Sequence, residues 1–172
     1  MNAGSGRHYL HGWVNADIDP GCGADICTDL TGIPLPDGSA EKVFASHLLE
    51  HLEYRKQLPA VLAEFRRVLA PGGHLCVVGP DIERAVLLGE PPTVLQAIVA
   101  WPDTFNIGRW AQKTPPAGHA WTATGSLVEA VLENAGFVWT AYTGRLAELA
   151  TAGWPLDNLA LWQNGYVCEA AG

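Results

Sequence analysis

Glu64-Phe65-Arg66-Arg67-Val68-Leu69-Ala70-Pro71-Gly72-Gly73-His74-Leu75-Cys76-Val77-Val78-Gly79 contains the end of one element, a stop, and the whole of the next. Leu58, Val61, Leu62, Phe65, Val68 and Leu69 recur at helical spacing, which predicts a helix over Glu53–Leu69 with one apolar face. Pro71 has no N–H to donate and Gly72-Gly73 is conformationally loose, so the helix stops there. The apolar run His74–Gly79 is too short for a helix and reads as a buried strand. A helix turned tightly into a buried strand is the building unit of an α/β sheet.

Further strands are predicted at Met1–Ala3, Trp13–Ile18, Ala24–Cys27, Lys42–Ala45, Phe137–Tyr142 and Tyr166–Ala170, each bounded by Gly, Pro, Asp or Asn. A second helix, Ser126–Ala135, buries Leu127, Val128, Val131 and Leu132 and ends at Gly136, and a third lies near Thr93–Ala100. Helices between strands imply parallel pairing with crossovers, which take about a dozen residues or more. The segment Gly4–Gly12 between the first two strands is shorter than that, so early crossover helices are reduced or missing. Residues 89–125 are rich in Pro, Gly and Trp and read as an excursion over the sheet, where long loops carry substrate contacts. The 172 residues form one domain, 1–172.

With 48% hydrophobic and 16% charged residues, the composition is that of an ordinary globular domain. The net charge of −8 argues against an extended nucleic acid partner, and Arg55-Lys56 and Arg66-Arg67 read as the solvated face of the first helix. No apolar run approaches the ~20 residues that span a bilayer, so no membrane partner is expected. The opening residues lack the pattern of a signal peptide, and a cytoplasmic location is expected. Cys22, Cys27, Cys76 and Cys168 form no C-x-x-C pair; Cys27, Cys76 and Cys168 lie in strand-like runs and read as reduced, buried thiols.

Several landmarks occur in order: Asn2-Ala3-Gly4-Ser5-Gly6, Gly12-Trp13-Val14-Asn15-Ala16-Asp17-Ile18, Asp29-Leu30 with Pro34-Leu35-Pro36-Asp37-Gly38-Ser39, Ser46-His47-Leu48-Leu49-Glu50-His51, the helix end with Pro71-Gly72-Gly73, Pro80-Asp81, and Leu132-Glu133-Asn134-Ala135-Gly136-Phe137. Together they resemble the class I S-adenosylmethionine-dependent methyltransferases, in particular the compact bacterial, methyltransferase-domain-11-like branch. The resemblance covers residues 1 to 83 and 119 to 142. It implies a Rossmann-like α/β sheet, mostly parallel with an antiparallel last strand, S-adenosylmethionine as cofactor, and a small-molecule or sugar-like methyl acceptor. Self-association as a homodimer stays open.

Read from the residues, Gly4 and Gly6 make a turn without side chains that lets backbone approach a ligand. Asp17, ending the second strand, is placed to accept from ribose hydroxyls, with Asp19 close by as a rival. The resemblance gives Asn2, Ser46 and His47 to the cofactor's methionine end, Ile18 to the adenine face, and Asp29 and Leu30 to the adenine edge. Without it, Asp29 is a turn former and Ile18 plain core. Asn2 stands where the family often has an acid, and His8 where it often has a third glycine.

His47-Leu48-Leu49-Glu50-His51 also matches the H-x-x-E-H zinc-peptidase signature, in which both imidazoles face one metal from a helix. The strand before it and the lack of an evident third-ligand helix favour a cofactor border instead, and no metal is assigned. Methyl transfer to a hydroxyl benefits from a base near neutrality, and His119 is the first candidate, followed by His51 and His47, for which contact with the cofactor is the favoured role, and by Asp81. The alternatives are a degenerate methyltransferase fold that acts by binding, and a nicotinamide oxidoreductase, whose full G-x-G-x-x-G is missing.

Overall fold

The computed structural model describes residues 1–99, 120–156 and 160–171. His119, Trp101 and Trp110 lie outside these residues. Seven strands, β1 (Asn2–Ala3), β2 (Asn15–Asp17), β3 (Ile26–Cys27), β4 (Ala40–Ser46), β5 (Leu69–Pro80), β6 (Phe137–Ala141) and β7 (Gln163–Ala170), form one sheet in the order β3-β2-β1-β4-β5-β7-β6. The first five run parallel, and β7 is antiparallel to both β5 and β6. A parallel sheet closed by an antiparallel last strand is the predicted fold class.

Among the described residues there are five α-helices: α1 (Gln57–Val68), α2 (Ile82–Leu87), α3 (Pro92–Val99), α4 (Gly125–Asn134) and α5 (Leu146–Thr151). α1 starts later than the predicted Glu53 because the Glu53 carboxylate takes the N–H groups of Arg55 and Lys56 into a separate turn. Pro59 then sits in the first turn of α1, where a missing N–H has no partner to lose. α4 is capped by Thr124, whose hydroxyl accepts from the Leu127 N–H at 3.2 Å. The short helices α2 and α5 carry too little periodicity to be legible in advance.

β5 is longer than predicted. It pairs with β4 already at Ala40–Leu69, crosses the Pro71-Gly72-Gly73 stop through an irregularity, and resumes at Lys42–His74. A side chain at Gly73 would lie 2.9 Å from the Ala70 carbonyl and 3.0 Å from that of Glu41, so only glycine lets the strands meet there.

The two faces of the sheet are covered differently. On one face, Leu58, Val61, Leu62, Phe65 and Val68 of α1 and Val128, Val131 and Leu132 of α4 join the main core with Val43, Leu75 and Val77. The other face has a smaller core of Phe44, Cys76, Val78, Leu146, Leu149 and Trp154, with Leu10 and Trp13 packed against it. The early connections, 4–14, 18–25 and 28–39, contain no helix, as the short spacing implied. Trp13, Phe44 and Trp154 close this face instead, with ring centroids 6.3–6.4 Å apart.

Polar hubs organise the helix-free connections. Asn15, fully buried, donates to the Leu10 and Trp13 carbonyls and accepts from the Leu10 N–H, while its own N–H donates to Asp25 at 2.7 Å. Arg67 donates to the Ile33 and Leu35 carbonyls and to the carboxylates of Glu64 and Asp37. Arg67 is therefore no solvated charge; it pins the β3–β4 loop to α1. Arg55 and Lys56 lie before α1 rather than on its face. Cys76 and Cys168 are buried, burial pushing the Cys168 thiol up to about 12, whereas Cys27 is exposed because β3 is the sheet's edge.

Trp154→Ala removes a nearly buried indole and is expected to cost about 3–5 kcal/mol in urea unfolding. A loss below about 1 kcal/mol would show that the aromatic cluster does not hold that face. The second expectation concerns acid. The Arg67 side chain, by its hydrogen bonds to Glu64, holds that carboxyl below the usual range despite partial burial. The depressed carboxyl contributes stability that is present above the ordinary carboxylate pKa and lost as pH falls through the folded value. Thermal melts across the acid range should show a shallower loss in Glu64→Gln than in the wild type.

Candidate functional site

The carboxyl ends of β1, β2, β3, β4 and β5 open on the same edge of the sheet, and ligands of open α/β sheets bind at such an edge. β1 leads into Gly4-Ser5-Gly6, where Gly4 has φ of 66° and Gly6 of 50°. The N–H groups of Gly4 and Ser5 both donate to the Ala16 carbonyl, at 2.9 and 3.1 Å, which folds the turn against β2. A side chain at Gly4 would lie 2.7 Å from Leu48 Cδ1, whereas one at Gly6 would meet nothing within 4 Å. The turn is thus closed on the Leu48 side and bare on the Gly6 side. Ser5 Oγ is buried there without a hydrogen-bond partner.

Asp17 ends β2 and is 9% exposed. Its Oδ2 accepts from the Gly6 N–H at 2.7 Å and its Oδ1 from the Asp19 N–H at 2.8 Å. Each carboxylate oxygen can accept about twice, so capacity for a ligand's hydroxyls remains. Asp19, the rival, spends Oδ1 on the Gly21 N–H in a local turn. Ile18 is 37% exposed and so is not the core residue that a strand-end isoleucine usually is. Asn2 is buried and gives its amide hydrogens to the His8 carbonyl and to Asn15 Oδ1, both at 3.0 Å.

After β3, Asp29 is exposed and its Oδ1 accepts from the Thr31 N–H and hydroxyl. Leu30 is buried with φ of 65°, and its N–H, assigned by resemblance to an adenine edge, donates to Thr28 Oγ1 at 3.1 Å. After β4, Ser46 is half-buried and His47 has φ of 50°, uncommon for a residue other than glycine. His47 Nδ1 lies 3.3 Å from Glu50 Oε1, and its Nε2 lies 2.6 Å from Gln163 Nε2. Burial alone would raise the fully enclosed Glu50 carboxyl. The His47 ring nitrogen beside it and the charges of His47 and His51 outweigh that and hold it below the usual range.

Only Leu49–His51 is helical, as a single 3-10 turn, and His47 stands before it. The two-histidine helix face of a zinc peptidase is therefore not formed, and both His47 ring nitrogens already have partners. Among the described residues no group of three or more metal-ligating side chains converges. Asp81 is buried and its Oδ1 accepts from the Arg84 N–H, capping α2; its Oδ2 faces Gly125, 3.1 Å from where a side chain there would begin. Trp121 donates from Nε1 to the Leu49 carbonyl, and the Ala120 N–H donates to the Glu50 carbonyl at 2.7 Å. The end of the excursion is thereby fastened to the 3-10 turn.

The structure brings Gly4, Gly6 and Asp17 together directly and joins them to the 47–51 segment through Leu48. Asp81 belongs to a separate group with Gly125 and Tyr166. Sequence reasoning missed Leu48 and Gln163. The three-residue step from His47 to Glu50 was readable, but no local pattern ties position 47 to 163.

Residues 15–77 match the sequence model of a family described as a methyltransferase domain. The fold is shared with the PH0226 protein of Pyrococcus horikoshii OT3, with a TM-score of 0.60 at 14% identity over 98% of this chain and 80% of that one. It is shared with a SAM-dependent methyltransferase from Archaeoglobus fulgidus, with a TM-score of 0.59 at 13% identity over 97% and 83%. DhpI in complex with SAH gives a TM-score of 0.59 at 18% identity over 99% and 75%. No curated protein sequence is significantly similar to the chain.

Gly4→Ala combines strain at positive φ with a clash against Leu48, whereas Gly6→Ala adds only the strain, about 1–2 kcal/mol. Gly4→Ala should therefore be the more destabilising in urea unfolding, and Leu48→Ala should recover part of the difference. Equal losses in the two single variants would show that Leu48 does not close the turn. Residues 15–77 are thus similar to a methyltransferase domain, and the strand order gives this chain the Rossmann-like α/β fold that these solved structures share.

Proposed function

We propose that the chain binds S-adenosylmethionine at the carboxyl ends of β1 to β4 and transfers its methyl group to a small-molecule or sugar-like acceptor. The observation that carries this is the bare Gly4–Gly6 turn locked to the Asp17 carboxylate by the 2.7 Å Gly6 bond. A buried strand-end carboxylate with spare acceptor capacity suits paired ribose hydroxyls, and open space at Gly6 suits an approaching ligand chain. The buried, unpartnered Ser5 hydroxyl in the same turn fits a polar ligand group. When bound, the cofactor supplies a methyl group already made electrophilic by its sulfonium.

The chain's residues then bind and orient. Asp17 takes the ribose, Ile18 offers an exposed apolar side chain to the adenine face, and Asp29 with Leu30 borders its edge. Asn2, its amide hydrogens spent inside, has its carbonyl oxygen left for an amino group. Ser46 and His47 border the methionine end. Alignment of the acceptor with the methyl group supplies up to ~7–11 kcal/mol in favourable cases. His119, His51, His47 and Asp81 are the candidate bases, with Asp81 also committed to capping α2. Partners are small molecules, and a cytoplasmic setting agrees with this chemistry.

Calorimetric titration with S-adenosylmethionine, S-adenosylhomocysteine and NAD tests the reading. Micromolar binding of the first two and none of NAD is expected. Asp17→Ala should weaken it about ten-fold or more, the worth of one charge-assisted hydrogen bond. Failure of a folded wild-type protein to bind either nucleoside would instead support a fold kept for binding a partner.

A further inference from the structure

We infer that His47, oriented by Glu50 and masked by Gln163, is the proton acceptor of the reaction, and that the methyl acceptor presents an O–H or N–H nucleophile. This rests on the methyltransferase reading. The assignment begins with Gln163, which is 1% exposed. Its Oε1 accepts from the Ala160 N–H at 3.0 Å, so its amide nitrogen is the end that faces His47 at 2.6 Å. An amide nitrogen only donates, so His47 Nε2 accepts, and the proton of the neutral ring sits on Nδ1 facing Glu50 Oε1. Carboxylate, Nδ1–H and a lone pair at Nε2 form the arrangement in which an acid fixes the tautomer and orientation of an imidazole.

Two further observations agree. Glu50 is 2% exposed and its Oε1 makes no hydrogen bond, so the His47 ring nitrogen 3.3 Å away is the polar group set against its buried charge. His47 occupies its place at a positive φ, held by the N–H bond to the Val78 carbonyl at 2.8 Å, and strained backbone of this kind marks a placed functional side chain. The Gln163 amide occupies the position that an acceptor's own donor must take to reach Nε2, so it stands in for the O–H or N–H of the substrate. In the step itself, the O–H or N–H bond breaks and its electrons stay on the oxygen or nitrogen that takes the methyl group. The proton forms the Nε2–H bond, and the resulting imidazolium is neutralised by Glu50. An acceptor without an ionisable hydrogen would have no use for this group.

Carbethoxylation by diethyl pyrocarbonate, which attacks neutral imidazole, reads the Nε2 lone pair without any methyl acceptor. Its rate at His47 is followed by peptide mass spectrometry on the full chain over a pH series. Wild-type His47 should react slowly, and Gln163→Ala should speed it about ten-fold, the worth of one released hydrogen bond. Adding Glu50→Gln to Gln163→Ala should slow the reaction again at fixed pH, because the ring is no longer held with its Nε2 lone pair outward. Should the doubly changed chain not fold, long-range proton–nitrogen NMR of the wild type decides the matter, with protonation at Nδ1 expected. A ring protonated at Nε2, or a rate unchanged by Gln163→Ala, overturns the proposal. S-adenosylhomocysteine titration of the same samples separates the two readings. Binding with the wrong tautomer sinks only the role of His47, and the expected tautomer without binding sinks the methyltransferase reading and the proton-acceptor role with it.

Discussion

The geometry of the candidate site depends on the pairing of a two-residue strand. β1 contributes only Asn2 and Ala3, yet it lies between β2 and β4 at the centre of the parallel sheet. Its hold is extended on both sides by the Gly4 and Ser5 N–H bonds to Ala16 and by the Phe44 N–H bond to the Met1 carbonyl. Those bonds fix where the chain leaves the sheet, and so fix the Gly6 N–H against Asp17. A one-residue slip of β1 would turn Ala3 away from the core and carry the turn out of reach of the carboxylate.

A sheet that lacks its early helices must still cover its second face and satisfy the backbone of its connections. This chain does both with single side chains. Aromatic rings at positions 13, 44 and 154 supply the covering area, while Asn15 and Arg67 satisfy loop carbonyls that a helix would have satisfied internally. Such hubs concentrate the work of many residues on few. They hold the loops that carry Leu30 and the start of β2, which links a packing solution far from the strand ends to the geometry at them.

The unequal legibility of the sequence follows from the same facts. Period and punctuation revealed α1, α4, the stop at Pro71-Gly72-Gly73 and every strand, because those elements bury regular faces. Boundaries moved where a side chain intervened, as Glu53 does before α1, or where pairing with a neighbour extended a strand, as β4 does for β5. The short helices α2 and α5 were invisible because six residues cannot display a helical period. At the site, Gly4, Gly6 and Asp17 were readable from local chemistry. Arg67 looked like a surface charge because its partners other than Glu64 lie some thirty residues away. Gln163 was unreadable for the same reason, since its partner His47 is 116 positions distant.

Backbone strain adds a further constraint on where function resides. Among the described residues, Leu30 and His47 are the non-glycine residues at positive φ. Each follows a strand of the parallel sheet at its carboxyl end, one after β3 and the other after β4. Core packing accounts for a leucine at position 30, but the His47 side chain, 39% exposed, gains no such burial from its conformation. Each conformation costs of order 1–3 kcal/mol and persists only where the surroundings over-determine it. For Leu30 those surroundings are burial and the Thr28 hydroxyl; for His47 they are Val78, Glu50 and Gln163. Strain held by such partners at the mouth of the sheet, on either side of Asp17 and the glycine turn, is what a site needs when its side chains must be in place before the ligand arrives.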